Sequence, residues 1–197
     1  LLFFMNNFSL NQKDKDFLLN LARQAIKNYL ETNQILEIDE KILENYSPVL
    51  KEKIPCFVTL TINDELRGCI GFFQTNKSLY ETVIEMAINA AFFDYRFFPI
   101  QKEESDQIKI EISLLTSPKE LIYNDASDLL KKLESFKHGV IVKKDFYEAT
   151  YLPQVWEKIP DKELFLSSLC LKAQLPADAW KKEKLEIKVY EVENFKE

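Results

Sequence analysis

Glycine is scarce in this chain: there are three in 197 residues, where average usage of about 7% would place roughly 14. Neither G-x-x-x-x-G-K-[ST] nor G-x-G-x-x-G occurs, so glycine-built cradles for nucleoside triphosphates or dinucleotides are excluded. The serine-hydrolase elbow G-x-S-x-G is missing too. His138 is the one histidine, and Cys56, Cys69 and Cys170 are irregularly spaced, which excludes a zinc centre of short-spaced Cys/His pairs. The C-x-x-x-C-x-x-C cluster of a radical SAM enzyme is likewise absent. Carboxylates are plentiful, but sequence does not show which converge, so no metal ligands are assigned and no cofactor is indicated. An odd cysteine count with no secretory leader favours reduced thiols and a cytoplasmic location. No apolar run reaches the ~18 residues that span a bilayer, so no membrane association is expected. The formal charge of −6 argues against whole-molecule attraction to nucleic acid.

What is present is ordinary globular composition: 46% hydrophobic, 13% aromatic and 29% charged. A chain of this size buries on the order of 70% of its unfolded surface, enough for a core without covalent staples. Residues 1–197 are read as one domain of larger and smaller subdomains, with residues 1–8 a loose N-terminal extension.

Ser9 and Gln12 form a capping-box pattern ahead of an amphipathic helix over about residues 10–31. Cys56–Ile62, rich in β-branched and aromatic residues, reads as a strand. Asn63-Asp64-Glu65 has turn chemistry, returning residues 66–73 antiparallel. Ser78 and Glu81 open a second helix whose apolar face is Leu79, Val83, Met86, Ala87, Ala90 and Ala91. The aromatics Phe92, Phe93, Tyr95, Phe97 and Phe98 suggest a packed, irregular turn that fills an inter-subdomain contact. Alternation marks a strand over 108–115 and another on Leu185, Ile187 and Val189. Residues 125–134 read as a short helix, and 139–144 with 147–152 as a hairpin. Asp161 caps a helix over about 162–173 that turns Leu164, Phe165 and Leu169 inward. Helices and strands without a βαβ rhythm point to an α+β fold, mostly antiparallel sheet with packed helices.

Two of the three glycines, Gly68 and Gly71, flank Cys69-Ile70, and Arg67, one of only three arginines, precedes them. Bare backbone beside a thiol and a planar five-donor cation is the pattern of a close-approach site. Cys69 is the candidate nucleophile or redox thiol, Arg67 its electrostatic stabiliser and His138 its candidate base. Equally, a free cysteine serves as a small, buried core residue, and each arginine serves as one half of an ion pair with a carboxylate such as Glu65 or Asp94. Arg67 and Arg96 together would clamp an anion. Gln154, between Pro153 and the core-plug candidate Trp156, would read a polar edge.

The segment Leu66-Arg67-Gly68-Cys69-Ile70-Gly71 resembles the signature of the AMMECR domain family, the AmmeMemoRadiSam system protein A group. The likeness runs from the first helix through Ala90-Ala91-Phe92, Asp94, Arg96-Phe97, the strand 110–116, His138-Gly139, Leu152-Pro153-Gln154-Val155-Trp156 and Leu175-Pro176 to Asp178-Ala179-Trp180. Tyr95 and Phe98 stand where the family usually has proline, residues 144–148 where it has a glycine-bearing loop, and Gln174 where it has glycine. The resemblance implies an α+β fold of two intimately associated subdomains with the signature near the cleft between them. It also implies association with Memo-like proteins and radical SAM enzymes. From it follows the first expectation: an accessory or binding component of an AmmeMemoRadiSam-type modification system, with Gly68, Gly71, Arg96 and Gln154 contacting a ligand, modified group or partner. Two alternatives are a cysteine-dependent enzyme working through Cys69, and a nucleic-acid modification factor.

Overall fold

The computed structural model describes Phe8 and residues 10–197. Ser9 and residues 1–7 of the N-terminal extension lie outside the described residues. In chain order the regular elements are α1 (Gln12–Thr32), β1 (Cys56–Ile62), β2 (Glu65–Gly71), α2 (Leu79–Phe92), β3 (Lys109–Leu115), β4 (Lys119–Glu120), α3 (Ala126–Lys132), β5 (Gly139–Lys144), β6 (Tyr147–Tyr151), α4 (Lys162–Lys172), α5 (Ala179–Lys182), β7 (Glu186–Tyr190) and β8 (Val192–Lys196). They form two compact units: residues up to Leu115 with Glu193–Glu197, and Thr116–Val192. Each holds its own hydrophobic core. Mixed helices and antiparallel strands make the fold α+β, as expected.

In the first unit α1 is capped by Asn11, whose side chain accepts the Asp14 N–H while the Asp14 carboxylate takes the Asn11 N–H, both at 3.0 Å. This reciprocal pair satisfies two helix-end donors. The buried Asp14 also accepts the Ser47 N–H at 3.0 Å, tying the following loop to the helix start. β1 and β2 are joined through Asn63 and Asp64, both left-handed at φ 52° and 64°. Asn and Asp are the non-glycine residues that tolerate such a turn.

The sheet order is β2-β1-β3-β8. On one face Val58, Leu60, Ile110, Ile112 and Leu114 are buried with the small-residue face of α2 and the apolar stripe of α1. The opposite face carries Thr59, with Cys69 of β2 and Glu111 of β3 as its cross-strand partners. β8 was not legible as a strand of its own; it returns the end of the chain to the first unit. The aromatic turn is also different from expectation. Phe92 packs on the core, but Phe93, Tyr95 and Phe98 are 59%, 94% and 89% exposed.

In the second unit the sheet order is β4-β7-β5-β6. Its core is built on Trp156, whose ring stacks on Phe165 at 3.5 Å between centroids, with Trp180, Leu169 and Ile187 around them. Leu164 does not turn inward: it is 65% exposed, Leu171 seven residues on is 61% exposed, and the buried residues of α4 are Phe165, Leu166, Leu169 and Cys170. The Asp161 cap and the inward-facing Phe165 and Leu169 stand where the sequence put them; Leu164 alone falls on the outer side of the helix, which it shares with Leu171. α4 ends with Gln174 left-handed at φ 61°, its N–H donating to Leu171 O and that of Leu175 to Cys170 O. This is a Schellman ending on a residue other than glycine. Among the described residues no helix is long and apolar enough to cross a membrane.

Candidate functional site

The hexapeptide 66–71 occupies β2, the edge strand of the first sheet. An edge strand has backbone groups with no neighbouring strand. At Cys69 they are taken by the segment after α2. The Asp94 carboxylate accepts the Cys69 N–H at 2.9 Å, and Arg96 Nη2 donates to the Cys69 carbonyl at 3.1 Å. Arg96 is in turn bound to Asp94 through Nε at 2.9 Å and Nη2 at 2.6 Å, and its own N–H meets the same carboxylate at 3.2 Å. The two side chains therefore act as a short surrogate strand. Asp94 is 4% exposed. The Arg96 hydrogen bonds outweigh burial and hold its carboxyl well below the ordinary carboxylate range, and the same bonds raise the Arg96 guanidinium.

Arg67 is the extra residue of a β-bulge, where the register with β1 shifts between Leu60 and Thr61. Its guanidinium meets Glu104 in a two-pronged pair, Nε at 2.7 Å and Nη2 at 2.9 Å. Glu104 also takes the Gln101 N–H at 2.9 Å, so one carboxylate fastens the 101–107 turn to β2. Those Arg67 hydrogen bonds lower the Glu104 carboxyl. Arg67 as stabiliser of a Cys69 thiolate has no contact behind it: Nε and Nη2 are engaged with Glu104, and Nη1 is buried with no hydrogen-bond partner. The two-arginine anion clamp is corrected likewise, Arg96 being engaged with Asp94 and the Cys69 carbonyl. Of the carboxylates considered from sequence, Asp94 is the partner of Arg96, while Glu65 is not the partner of Arg67.

The glycines answer to the chain's own packing. A methyl group at Gly68 would lie 2.1 Å from the Ala90 carbonyl oxygen of α2. At Gly71 it would lie 2.3 Å from the Phe57 ring and 2.5 Å from the Cys56 carbonyl oxygen. The third glycine, Gly139, lies under the Tyr190 ring, 2.3 Å from where its methyl would be. None of the three has a positive φ. Closeness of backbone to neighbouring atoms, not conformational freedom, fixes these positions.

Cys69 is half-buried, and Thr59 Oγ1 lies 3.2 Å from its sulfur. Thr59 also lines a groove of about 260 Å³ with Thr61, Lys109 and Glu111. Cys56 and Cys170 are buried, and burial pushes both thiols up. His138 and Gln154 belong to the second unit. The His138 Nδ1 accepts the Glu134 N–H at 3.1 Å, and burial lowers its pKa, so it is a neutral ring holding a turn. The Trp156 indole N–H donates to the His138 carbonyl at 2.7 Å. Gln154 Oε1 is buried with no hydrogen-bond partner. Among the described residues no three His, Cys, Asp or Glu side chains are grouped to hold a metal ion.

The structure therefore brings Arg67, Gly68, Cys69, Gly71 and Arg96 together on one unit, with Asp94, Glu104 and Thr59 as the partners that complete the arrangement. Thr59 was readable in principle as a cross-strand neighbour of Cys69 once hairpin register is fixed. Glu104 carries no local sequence signal.

An α+β chain with a clamped, glycine-flanked cysteine on an edge strand defines a class recognisable by comparison. The AMMECR1 family model matches residues 19–195. The chain is 42% identical over 196 residues to Protein MK0488 of Methanopyrus kandleri, covering 95% of this chain and 90% of that one. It is 40% identical over 182 residues to Protein NEQ441 of Nanoarchaeum equitans, covering 91% and 98%. Among solved structures, the uncharacterized protein PH0010 from Pyrococcus horikoshii superposes with a TM-score of 0.82 at 36% identity, over 96% of this chain and 94% of that one. The chain belongs to the AMMECR1 family.

Proposed function

We propose that this protein is a binding component of an AmmeMemoRadiSam-type modification system, docking a partner protein on the surface around residues 66–71 and 93–98. One observation carries the reading. Tyr95 and Phe98 are almost wholly exposed, yet they sit on a segment fixed by the Asp94–Arg96 clamp on Cys69. Exposed aromatics on a pre-ordered segment lose little entropy on binding and are the residue types that dominate interface energies. Leu66 near the start of β2 and Phe72 just after its end are 45% and 49% exposed and add apolar area beside the signature strand.

The cysteine-enzyme reading has less support. A reactive thiol is activated by a nearby cation or base, and the guanidinium groups of Arg67 and Arg96 are bound to Glu104 and Asp94. The partners in view are a Memo-like protein and a radical SAM enzyme from the same organism. Titration calorimetry of the purified chain against each tests the proposal. Binding that weakens by about thirtyfold in the Tyr95→Ala/Phe98→Ala double variant is expected, that being the effect of losing about 2 kcal/mol. Unchanged affinity in that variant, or no binding of either partner by the wild-type chain, overturns it.

A further inference from the structure

A second surface of the first unit is set apart from the signature strand by its chemistry. The loop after α1 runs beside the first turns of α2 and leaves a groove of about 340 Å³. Its floor is apolar: Leu36, Ile38, Tyr80 and Ile84, with Ile35 standing 64% exposed at the edge. Its rim is acidic, carrying Glu37, Glu40, Glu81 and Glu85 against the single lysine Lys77. Lys77 pairs with Glu85 at 3.0 Å, and Lys51 reaches Glu40 only at 4.0 Å. Glu81 takes the Ser78 N–H, and the Ser78 hydrogen bonds lower its carboxyl, so it stays ionised. Glu37 is exposed, with no hydrogen bond or ion pair among the described residues.

The backbone adds a further feature. Asn28 Nδ2 donates to the Gln34 carbonyl at 2.8 Å, and the Ile42 N–H reaches Asp39 O at 2.9 Å. Between these anchors, among the described residues, no backbone N–H or C=O of residues 35–38 makes a hydrogen bond. Residues 35–38 belong to no strand, but their unpaired main-chain groups lie beside an apolar trough and are open to pairing with an incoming extended peptide, whose side chains the trough would select.

We propose that this groove binds a basic segment of a partner protein in extended conformation. Its backbone pairs with residues 35–38, an apolar side chain lies on Leu36, Ile38 and Ile84, and Lys or Arg side chains meet Glu37 and Glu40. Charge complementarity selects this occupant: four glutamates against one lysine leave the rim net negative, which attracts a basic segment and repels an acidic one. The site is independent of the docking surface around Tyr95 and Phe98.

The probe is a fluorescein-labelled heptapeptide alternating lysine and leucine, with an alternating glutamate–leucine peptide as control, titrated with the full chain by fluorescence anisotropy. The lysine peptide is expected to bind at least tenfold more tightly than the glutamate peptide and to weaken as salt rises. The exposed-rim variant Glu37→Lys/Glu40→Lys is expected to lose at least tenfold with an unchanged thermal midpoint. Amide shift changes in a ¹⁵N-labelled sample are expected on residues 35–40 and 77–85. Equal binding of both peptides, no loss in the rim variant, or shift changes confined to other residues overturns the proposal. Tyr95→Ala/Phe98→Ala is expected to leave lysine-peptide binding unchanged, which separates this site from the other surface.

Discussion

Removing the Asp94 carboxylate tests the clamp on β2. In the folded protein this one group receives the Cys69 N–H, the Arg96 N–H, and Arg96 Nε and Nη2, at 2.6–3.2 Å. Breaking a buried pair by deleting one partner costs about 3–5 kcal/mol, chiefly because the other charge is stranded. Here the Arg96 side chain is 43% exposed, so water partly rehydrates it and the low end, about 3 kcal/mol, applies to Asp94→Ala. For a chain of this length that is a fall of roughly 6–12 °C in the thermal midpoint. The linkage sign follows from the depressed carboxyl. Its stabilisation is complete above the unfolded value near 3.9 and is lost as pH falls through the lower folded value. Urea unfolding of wild type and Asp94→Asn at pH 7, 5 and 3, with hydrogen exchange at the Cys69 amide, is the assay. The gap in midpoint is expected to hold between pH 7 and 5 and to begin closing at pH 3, and the Cys69 amide to exchange faster in the variant. A variant as stable as wild type at pH 7, or a gap that widens on acidification, would refute the clamp.

Three further perturbations address other parts of the fold. Gly68→Ala places a methyl against the Ala90 carbonyl and is expected to cost about 3 kcal/mol, the upper end for overpacking. Ala90→Gly should not rescue it, since the atom met is backbone; rescue in denaturant titrations would contradict this. Gln174→Gly relieves a left-handed residue at the end of α4 and is expected to raise stability by up to about 1 kcal/mol, after glycine's own entropic cost; a lower calorimetric midpoint would count against it. His138 has its pKa lowered by burial, so its stabilisation is present above about pH 6.5 and declines as pH falls below it. His138→Asn should flatten that decline in pH-dependent unfolding curves; an unchanged slope refutes the assignment.

Much of the scaffold was legible because it is local. The Ser78–Glu81 pattern, the alternation over 108–115 and the Asn63-Asp64 turn each act within a few residues, and each stands where the pattern put it. At the start of α1 the capping box is Asn11–Asp14, one of several polar residues there able to compete for the role. What escaped was non-local. Arg67 finds its carboxylate 37 residues along the chain, and β8 joins a sheet whose other strands end at Leu115. The glycines at 68 and 71 were read as open to an incoming molecule, whereas a helix carbonyl and an aromatic ring of this chain already occupy the space beside them. In α4 the Asp161 cap was legible but Leu164, at the edge of the apolar face, was not, because local periodicity fixes the middle of a face better than its margins.

The central claim is that residues 66–71 brace a docking surface and that the Cys69 sulfur is not what the partner needs. Titration calorimetry of Cys69→Ala beside Tyr95→Ala/Phe98→Ala, against a partner that binds the wild-type chain, tests it most directly. The account predicts that the cysteine variant keeps its affinity within about threefold while the aromatic variant loses about thirtyfold. Loss of binding on removing the thiol, with the aromatic variant unaffected, would contradict it.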